Sequence, residues 1–210
     1  MEPRCWPECT PRSGAVAVER EPNLLAGAAL WRHGAPFNGL YLVRSGCLKV
    51  IETDSSGAER VLHFAFAGDM IGLEALAAGR HDSSAIALAE SMVCHLQWPP
   101  REEDLASPAQ LPMRLLQRAS SLLRQRSRAV RLTDPDASVR VFLAEMAERI
   151  GRQEQRDGQR LIRVRLPMSR LEIGQYLGYA EETVCRSMRR LQRQGELEVS
   201  GRTLLVKSAG

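Results

Sequence analysis

Residues 167–206 contain the pattern that most constrains the fold of this chain, two short amphipathic helices joined by a tight turn. Ser169 followed by Glu172 is a capping box, in which each side chain accepts from a backbone N–H group at a helix start. Gly178 ends that helix, because glycine readily adopts the left-handed conformation found beyond a helix C-terminus. A second helix begins within three residues and spans residues 181–194. The pattern predicts a helix-turn-helix.

The two faces of the second helix differ sharply in chemistry. Glu182, Cys185, Arg186 and Arg189 are spaced i, i+3, i+4 and i+7 and share its outer face. Arginine can donate two hydrogen bonds to guanine and glutamate can accept from cytosine, so this face suits base reading in a major groove. An i, i+4 Glu–Arg pair is also common on any solvated helix. Apolar side chains predicted to face inward are Leu171, Ile173 and Leu177 in the first helix and Val184, Met188 and Leu191 in the second.

Charge is distributed unevenly along the chain. Residues 1–107 carry 9 basic and 14 acidic side chains, whereas residues 160–210 carry 10 basic and 5 acidic side chains. Neutralising DNA phosphates releases condensed counterions, so a basic C-terminal part favours a polyanionic partner. An arginine-rich solvated surface is the alternative. Three arginines of the second helix, Arg189, Arg190 and Arg193, are predicted to meet phosphates, which fix register without reading sequence.

Residues 23–98 have a different pattern, in which short β runs alternate with turns. Closely spaced strands of this kind predict a compact antiparallel roll or barrel. Glycine-containing turns lie at residues 32–34, 44–46, 54–57 and 67–69. The predicted strands are residues 40–44, 47–52, 60–66, 85–89 and 92–98.

Residues 108–133 form a predicted long helix with no internal glycine. Leu115, Leu122 and Ala129 recur every seven residues beside Leu123 and Val130, the pattern of a helix that packs on a copy of itself. Nearby arginines interrupt the stripe, and packing on the chain's own β domain is the competing interpretation. Pro135 breaks this helix.

A second amphipathic helix is predicted over residues 137–150. Its expected buried residues are Val141, Phe142, Ala144, Met146 and Ile150. A polar loop is predicted over residues 151–159, followed by an alternating run at residues 161–166. Residues 198–206 read as two strands around a Ser-Gly turn, a β wing beside the helix-turn-helix.

Taken together, these motifs resemble the Crp/Fnr family of bacterial transcription regulators, in its Fnr branch. The recognition-helix pattern of the family is present as Glu182-Thr183-Val184-Cys185-Arg186, and residues 173–178 look like the first helix of the branch. Residues 40–46 and 68–73 look like the cyclic-nucleotide-binding-type roll of the family. The resemblance implies a homodimer on a palindromic DNA site and contact with RNA polymerase.

The resemblance also assigns roles to individual residues. Glu182 and Arg186 match the base readers of the family, while Cys185 and Glu181 occupy neighbouring positions that depart from both the Fnr type and the cyclic-AMP type. The half-site is therefore not expected to be that of either branch. The residues expected on the DNA backbone are Ser169, Arg170, Thr183, Arg189, Arg190, Arg193 and Arg202.

The resemblance implies two possible signals for the roll, a cyclic nucleotide and an iron-sulfur cluster. The cyclic-AMP type captures phosphate with a Gly-Glu and an Arg-Ser pair, which here are Gly72-Leu73 and Ser83-Ser84, so cyclic nucleotide is not the expected effector. The Fnr branch holds a [4Fe-4S] cluster on four cysteines. Candidate ligands are Cys5, Cys9 and Cys94, with Cys47 or a histidine as the fourth. The alternative is that Cys47 and Cys94 are buried thiols and that Cys5 and Cys9 form a reversible disulfide.

The expected fold class is α+β: an N-terminal cyclic-nucleotide-binding-type β roll, a long dimerisation helix and a C-terminal winged helix-turn-helix. The predicted divisions are a tail (1–22), the sensory roll (23–107), the dimerisation helix (108–133) and the DNA-binding domain (134–210). The four histidines show no paired ligand spacing and are predicted at the surface or in turns.

No sequence pattern indicates an enzyme, a membrane span or a secretory signal, so the protein is expected in the cytoplasm with double-stranded DNA and RNA polymerase as partners. The leading interpretation is a dimeric regulator that responds to oxygen or redox state. An effectorless DNA-binding or architectural dimer is the second interpretation.

Overall fold

The computed structural model describes residues 18–20, 23–97, 134–156 and 159–207. The chain divides into two compact units, Met1–Gln125 and Arg126–Gly210. The predicted dimerisation residues Leu115, Leu122, Leu123, Ala129 and Val130 lie outside the described residues, and so do Cys5 and Cys9.

The described residues of the first unit form antiparallel strands in two four-stranded sheets. One sheet has the order β1-β8-β3-β6 and the other the order β2-β7-β4-β5. A 3-10 helix, Leu73–Ala75, lies between β6 and β7. The strands are β1 (Val18–Arg20), β2 (Ala29–Trp31), β3 (Gly39–Ser45), β4 (Cys47–Thr53), β5 (Glu59–Phe66), β6 (Met70–Ile71), β7 (Ser84–Ala87) and β8 (Met92–Gln97).

Side chains from both sheets form one buried core in this unit. Tyr41 and Val43 come from one sheet, and Trp31, Leu48 and Val50 come from the other. The five predicted strands are confirmed to within two residues at their ends. Three strands were not predicted, because two or three residues are too few to show a period-two pattern.

The described residues of the second unit combine three helices with a four-stranded antiparallel sheet of order β11-β12-β10-β9. The first helix packs on the third helix and on β10. The elements are α1 (Pro135–Ile150), β9 (Arg152–Arg156), β10 (Gln159–Arg165), α2 (Arg170–Leu177), α3 (Glu181–Arg193), β11 (Leu197–Ser200) and β12 (Thr203–Lys207).

Helix α1 begins at Pro135, two residues before the predicted start. The side chain of Asp134 caps it by accepting from the backbone N–H groups of Asp136 and Ala137. Proline is favourable at a first helical position, where its missing N–H group has no helical partner to lose.

The predicted buried face of α1 was partly wrong. Val141 is 49% exposed and Ala144 is exposed as well. The buried side chains follow the spacing i, i+3, i+4, i+7 and i+8 from Val139, which turns residues 141 and 144 to the opposite side. The buried apolar residues of the helix are Val139, Phe142, Leu143, Met146 and Ala147.

Two further predictions in this unit were wrong. Leu171 is 51% exposed, because Ile173 and Gly174 form the buried side of the short helix α2. Residues 152–156, predicted as a polar loop, form the edge strand β9, which pairs with β10 from Arg152↔Arg163 to Arg156↔Gln159. Backbone pairing fixes this strand, and its polar sequence carries no alternating apolar signal.

Within the described residues, no helix combines the length and the apolar character needed to cross a bilayer.

Candidate nucleic-acid interface

A capping box fixes the start of α2, and two glycines shape the turn between α2 and α3. The backbone N–H of Ser169 donates to Glu172 Oε2 (2.7 Å), and the backbone N–H of Glu172 donates to Ser169 Oγ (3.2 Å). Gly178 ends α2 in the left-handed region with φ +79°. A Cβ atom on Gly174 would lie 2.4 Å from the carbonyl oxygen of Tyr179, so only glycine lets the turn approach α2 this closely. The predicted helix-turn-helix is confirmed.

Four side chains of α3 hold it in the unit. Val184, Met188 and Leu191 are buried as predicted, and Ser187 is buried beside them. This arrangement leaves the opposite side of the helix in solvent. Glu181, Glu182, Cys185, Arg186 and Arg189 line one open concave surface there.

We call these five residues the α3 surface. All four residues predicted to read bases belong to it, as does Arg189. Three of the four base-reading candidates are exposed, and Cys185 is half-buried. The helix thus presents two carboxylates, a thiol and two guanidinium groups on one side, which offers both donors and acceptors to a bound ligand.

The side-chain partner of Arg186 is Thr183 and not Glu182. The Nη2 atom of Arg186 lies 3.5 Å from Thr183 Oγ1, one turn earlier on the helix. The ion pairs among the described residues do not include one between Glu182 and Arg186. Both charged groups therefore remain available for contacts outside the chain.

Arg170 and Arg202 brace the start of α2 against the turn of the wing. Arg170 Nη2 donates to the carbonyl oxygen of Gly201 (3.2 Å), and Arg202 Nη1 donates to the carbonyl oxygen of Pro167 (3.1 Å). Burial lowers the pKa of Arg170 below its ordinary value; nearby Cys185 opposes this shift and Arg202 adds to it. An arginine remains charged at neutral pH despite such a shift. Two guanidinium groups are thus held beside a helix N-terminus, the end that favours anions.

The three arginines of the last turns of α3 differ in their surroundings. Arg190 Nη2 lies 2.9 Å from Asp136 Oδ1 on α1, an ion pair by distance without hydrogen-bond geometry. All three are exposed, but Arg189 and Arg193 form no ion pair with another described residue. The sequence alone does not separate these three residues, since each is simply an arginine on a solvated helix.

Contacts that the sequence did not reveal join α1 to both ends of α3. The hydroxyl oxygens of Ser138 and Tyr179 lie 3.1 Å apart, just before α3 begins. Beyond its end, Arg140 makes a bidentate pair with Glu196, with Nε–Oε2 at 2.7 Å and Nη2–Oε1 at 2.9 Å. These partners are 41 and 56 residues apart, a separation at which no local pattern signals a contact.

In the roll, the region around Gly72-Leu73 and Ser83-Ser84, compared above with the phosphate site of the cyclic-AMP type, holds an internal polar cluster. Glu74 Oε1 accepts from Ser83 Oγ (3.1 Å) and lies 3.2 Å from His81 Nδ1. His81 stacks on Trp31 with ring centroids 4.3 Å apart. His81 is 1% exposed and His95 is 8% exposed, so the prediction that all histidines lie at the surface or in turns was wrong for these two.

Two of the candidate cluster ligands, Cys47 and Cys94, lie among the described residues, and both are buried thiols. Cys47 and Cys94 are buried in different sheets, at 2% and 0% exposure. Cys47 Sγ lies 3.8 Å from the carbonyl oxygen of Leu48, and Cys94 Sγ lies 3.9 Å from Arg44 Nη1. The described part of the chain contains no group of three or more side chains arranged to hold a metal ion. These two thiols match the alternative interpretation, in which they pack in the core.

Comparison with known proteins gives matches over both units. Residues 21–99 match the family model of the cyclic nucleotide-binding domain, and residues 139–209 match that of the Crp-like helix-turn-helix domain.

Relatives that match over about nine-tenths of this chain agree with the two family models. The chain is 30% identical to the electron transport regulator A of Shewanella oneidensis, covering 90% of this chain and 75% of that protein. It is also 30% identical to the anaerobic regulatory protein of Pasteurella multocida, covering 90% of this chain and 69% of that protein. Among solved structures, it is similar to FixK2 from Bradyrhizobium japonicum with a TM-score of 0.74 and 26% identity, over 92% of this chain and 93% of that one.

Proposed function

This chain belongs to the Crp/Fnr family of transcription regulators, and we propose that it reads a palindromic promoter site as a homodimer, with the α3 surface in the major groove. Regulators of this family bind DNA and are not enzymes. One observation carries the proposal: the buried Val184, Met188 and Leu191 fix α3 to its unit while its charged side is left in solvent. A helix held in this way can insert its polar side into a groove without losing its own packing.

The base-reading assignment follows from the chemistry of the α3 surface. Arg186 donates to guanine O6 and N7, and Glu182 accepts from cytosine N4, so these two residues favour a C·G base pair. The absence of an ion pair between them within the described residues supports this role, because neither group has to leave a partner before it meets a base. Glu181 and Cys185 flank the pair and adjust the preference at neighbouring positions.

A second group of residues is proposed to meet the DNA backbone. The brace between Arg170 and Arg202 supports phosphate binding at the wing, since it holds two cations beside the N-terminus of α2. Ser169 there offers its backbone and hydroxyl groups, and Thr183 offers a hydroxyl at the start of α3. The proposed phosphate contacts are Ser169, Arg170, Thr183, Arg189, Arg193 and Arg202, while Arg190, which the sequence placed with them, pairs with Asp136.

Dimerisation is proposed to use residues 108–133, in particular Leu115, Leu122, Leu123, Ala129 and Val130. A palindromic site requires two copies of the helix-turn-helix, one for each half-site, and a self-pairing helix supplies that symmetry. Contact with RNA polymerase and a location in the cytoplasm are proposed with it, because a regulator acts where transcription takes place.

The proposed signal is oxygen or redox state, and cyclic AMP is not the proposed effector. The names of the relatives support the first point, since one is an anaerobic regulatory protein and one an electron transport regulator. The internal contacts of Glu74 with His81 and Ser83 support the second, because the carboxylate already has partners and position 83 lacks an arginine for phosphate.

An effectorless dimer remains the second candidate function, and the packing of the roll favours it. Trp31 and Tyr41 stack with centroids 5.5 Å apart inside the core, and Tyr41 stacks in turn on His95 at 4.9 Å. The protein's own aromatic rings therefore occupy interior space of the roll.

The experiment that tests the proposal is selection of duplex DNA from a random pool with the purified protein, followed by footprinting. We expect a two-fold symmetric consensus and a footprint that covers both half-sites. Recovery of no consensus would contradict the proposed function. Footprints made in air and under strict exclusion of oxygen then separate the two candidates, because a redox-responsive regulator changes its affinity between them and an effectorless dimer does not.

A further inference from the structure

Four charged residues connect the C-terminal end of α3 to the first turns of α1. Arg190 in the last turns of α3 lies against Asp136, and Glu196, just beyond α3, forms the bidentate pair with Arg140. Asp136 and Arg140 are one turn apart on α1, and Asp136 also helps to raise the pKa of Arg140, after the larger effect of Glu196. The four charges alternate in sign. We call this set the α1–α3 network.

We propose that Arg190 and Asp136 are positioning residues, which hold the C-terminal end of α3 on α1, and that Arg190 is not a phosphate contact. This inference rests on the proposed DNA-binding function. It gives the three arginines Arg189, Arg190 and Arg193 different roles although they lie within four residues of one another.

Geometry supports the distinction. The Asp136 Oδ1 atom lies 2.9 Å from the Arg190 guanidinium, in a pair whose side chains are 22% and 51% exposed, respectively. Asp136 lies in the first turn of α1 and Arg190 in the last turn of α3, so each charge also suits the dipole of its own helix. Arg190 would have to leave this carboxylate to reach a phosphate, whereas Arg189 and Arg193 have no described anionic partner to leave.

The way α3 is held on α1 determines how the N-terminal half of α3 meets the bases. The contact of Ser138 with Tyr179 holds the N-terminal end of α3 on α1, and the α1–α3 network holds its C-terminal end. A helix fixed at both ends presents Glu182 and Arg186 at one angle to the groove. If the C-terminal end of α3 loses its contacts with α1, the helix samples several angles to the groove. This weakens base contacts and reduces discrimination between sites.

The direction in which Asp136→Asn changes DNA affinity distinguishes a positioning role from a phosphate contact. Removing an acidic group near DNA normally strengthens binding, because it removes repulsion from the phosphates. We expect Asp136→Asn to do the opposite and to weaken binding to the selected site about two- to fivefold, the range of a partly exposed ion pair. Glu198→Gln is the matched control, since it also removes one acidic charge, from the exposed pair with Arg156. It should leave affinity unchanged or raise it.

A salt series provides the second measurement. A lost phosphate contact lowers the slope of log affinity against log salt by about 0.9. Arg190→Gln is expected to weaken binding while keeping the wild-type slope, and Arg193→Gln to lower the slope by about that amount. The double variant Asp136→Asn/Arg190→Gln should bind no more weakly than the weaker of the two single variants, because the two changes break the same interaction. Urea unfolding of each protein identifies the fraction that is folded.

Each outcome decides the matter. Tighter binding by folded Asp136→Asn, or a slope lowered by about 0.9 in Arg190→Gln, would overturn the positioning role. If Asp136→Asn does not fold, the salt series on Arg190→Gln still tests the claim. A wild-type protein that selects no DNA site contradicts the proposed function itself, whereas a specific wild-type protein whose Asp136→Asn variant binds equally well contradicts only this inference.

Discussion

The hydroxyl oxygen of Ser138, in the first turn of α1, lies 3.1 Å from that of Tyr179, two residues before the start of α3. Ser138 is 4% exposed and also donates to the carbonyl oxygen of Asp134. The contact thus couples the helix cap of α1 to the turn of the helix-turn-helix.

Replacing Tyr179 by Phe removes this hydrogen bond and keeps the ring. We expect the free energy of unfolding to fall by about 0.5–1.5 kcal/mol, the usual net value of one such bond. Urea unfolding followed by circular dichroism measures the change. Ser138→Ala should cost at least as much, because it also removes the bond to the carbonyl oxygen of Asp134, and the double variant should cost less than the sum. Strict additivity would show that the two hydroxyl groups do not interact.

The capping box at Ser169 makes a separate contribution to stability. Ser169→Ala removes the acceptor for the backbone N–H of Glu172, and we expect a loss of about 1 kcal/mol. Glu172→Gln is the control, because glutamine can also complete the box and should cost much less. Equal losses in the two variants, measured by the urea midpoint, would argue that charge and not capping stabilises this end of α2.

Acid should weaken the pair between Glu196 and Arg140. The guanidinium of Arg140 donates to Glu196 and holds the pKa of that carboxyl below its ordinary 4.5. A lowered folded-state pKa means that the pair stabilises the fold above about pH 4.5 and that this contribution is lost as the pH falls through the lower, folded-state value. The urea midpoints of wild type and Glu196→Gln should therefore differ at neutral pH and converge in acid. A difference that stays constant down to the acid-unfolding range would contradict the pairing.

The thiol of Cys185 lies on the α3 surface and should report on its contact with DNA. Cys47 and Cys94 are almost fully buried, so in a Cys5→Ser/Cys9→Ser background N-ethylmaleimide should react mainly with Cys185. We expect alkylation to abolish specific binding, because the adduct fills the space that a base edge needs, and bound DNA to slow the reaction. Cys185→Ser should bind DNA before and after the reagent. Unchanged binding by the alkylated protein would place Cys185 outside the interface.

Local signals were sufficient to predict the helix-turn-helix from the sequence. Ser169, Glu172 and Gly178 mark the ends of α2 by short-range hydrogen bonding and backbone conformation, and Val184, Met188 and Leu191 show the buried side of α3 by spacing alone. Each of these signals lies within one or two helical turns. The structure confirms all of them.

Predictions that depended on tertiary packing were less successful. Val141 and Leu171 are apolar yet exposed, because the phase of each helix is set by the partner it packs on. Strand β9 has no apolar alternation and exists through its pairing with β10. The ion pair of Arg190 with Asp136 joins residues far apart in the sequence, so a list of arginines on one helix did not show which of them already had a partner.

The central claim is that the exposed side of α3 reads bases, and a binding measurement on Arg186→Ala tests it most directly. The affinity of wild type and variant is compared for the selected site and for duplexes that carry each single base-pair substitution in one half-site. We predict that Arg186→Ala loses about 1–3 kcal/mol on the selected site and no longer discriminates at one G·C position, while discrimination elsewhere is kept. An unchanged affinity, or a uniform loss at every position, would contradict base reading by this helix.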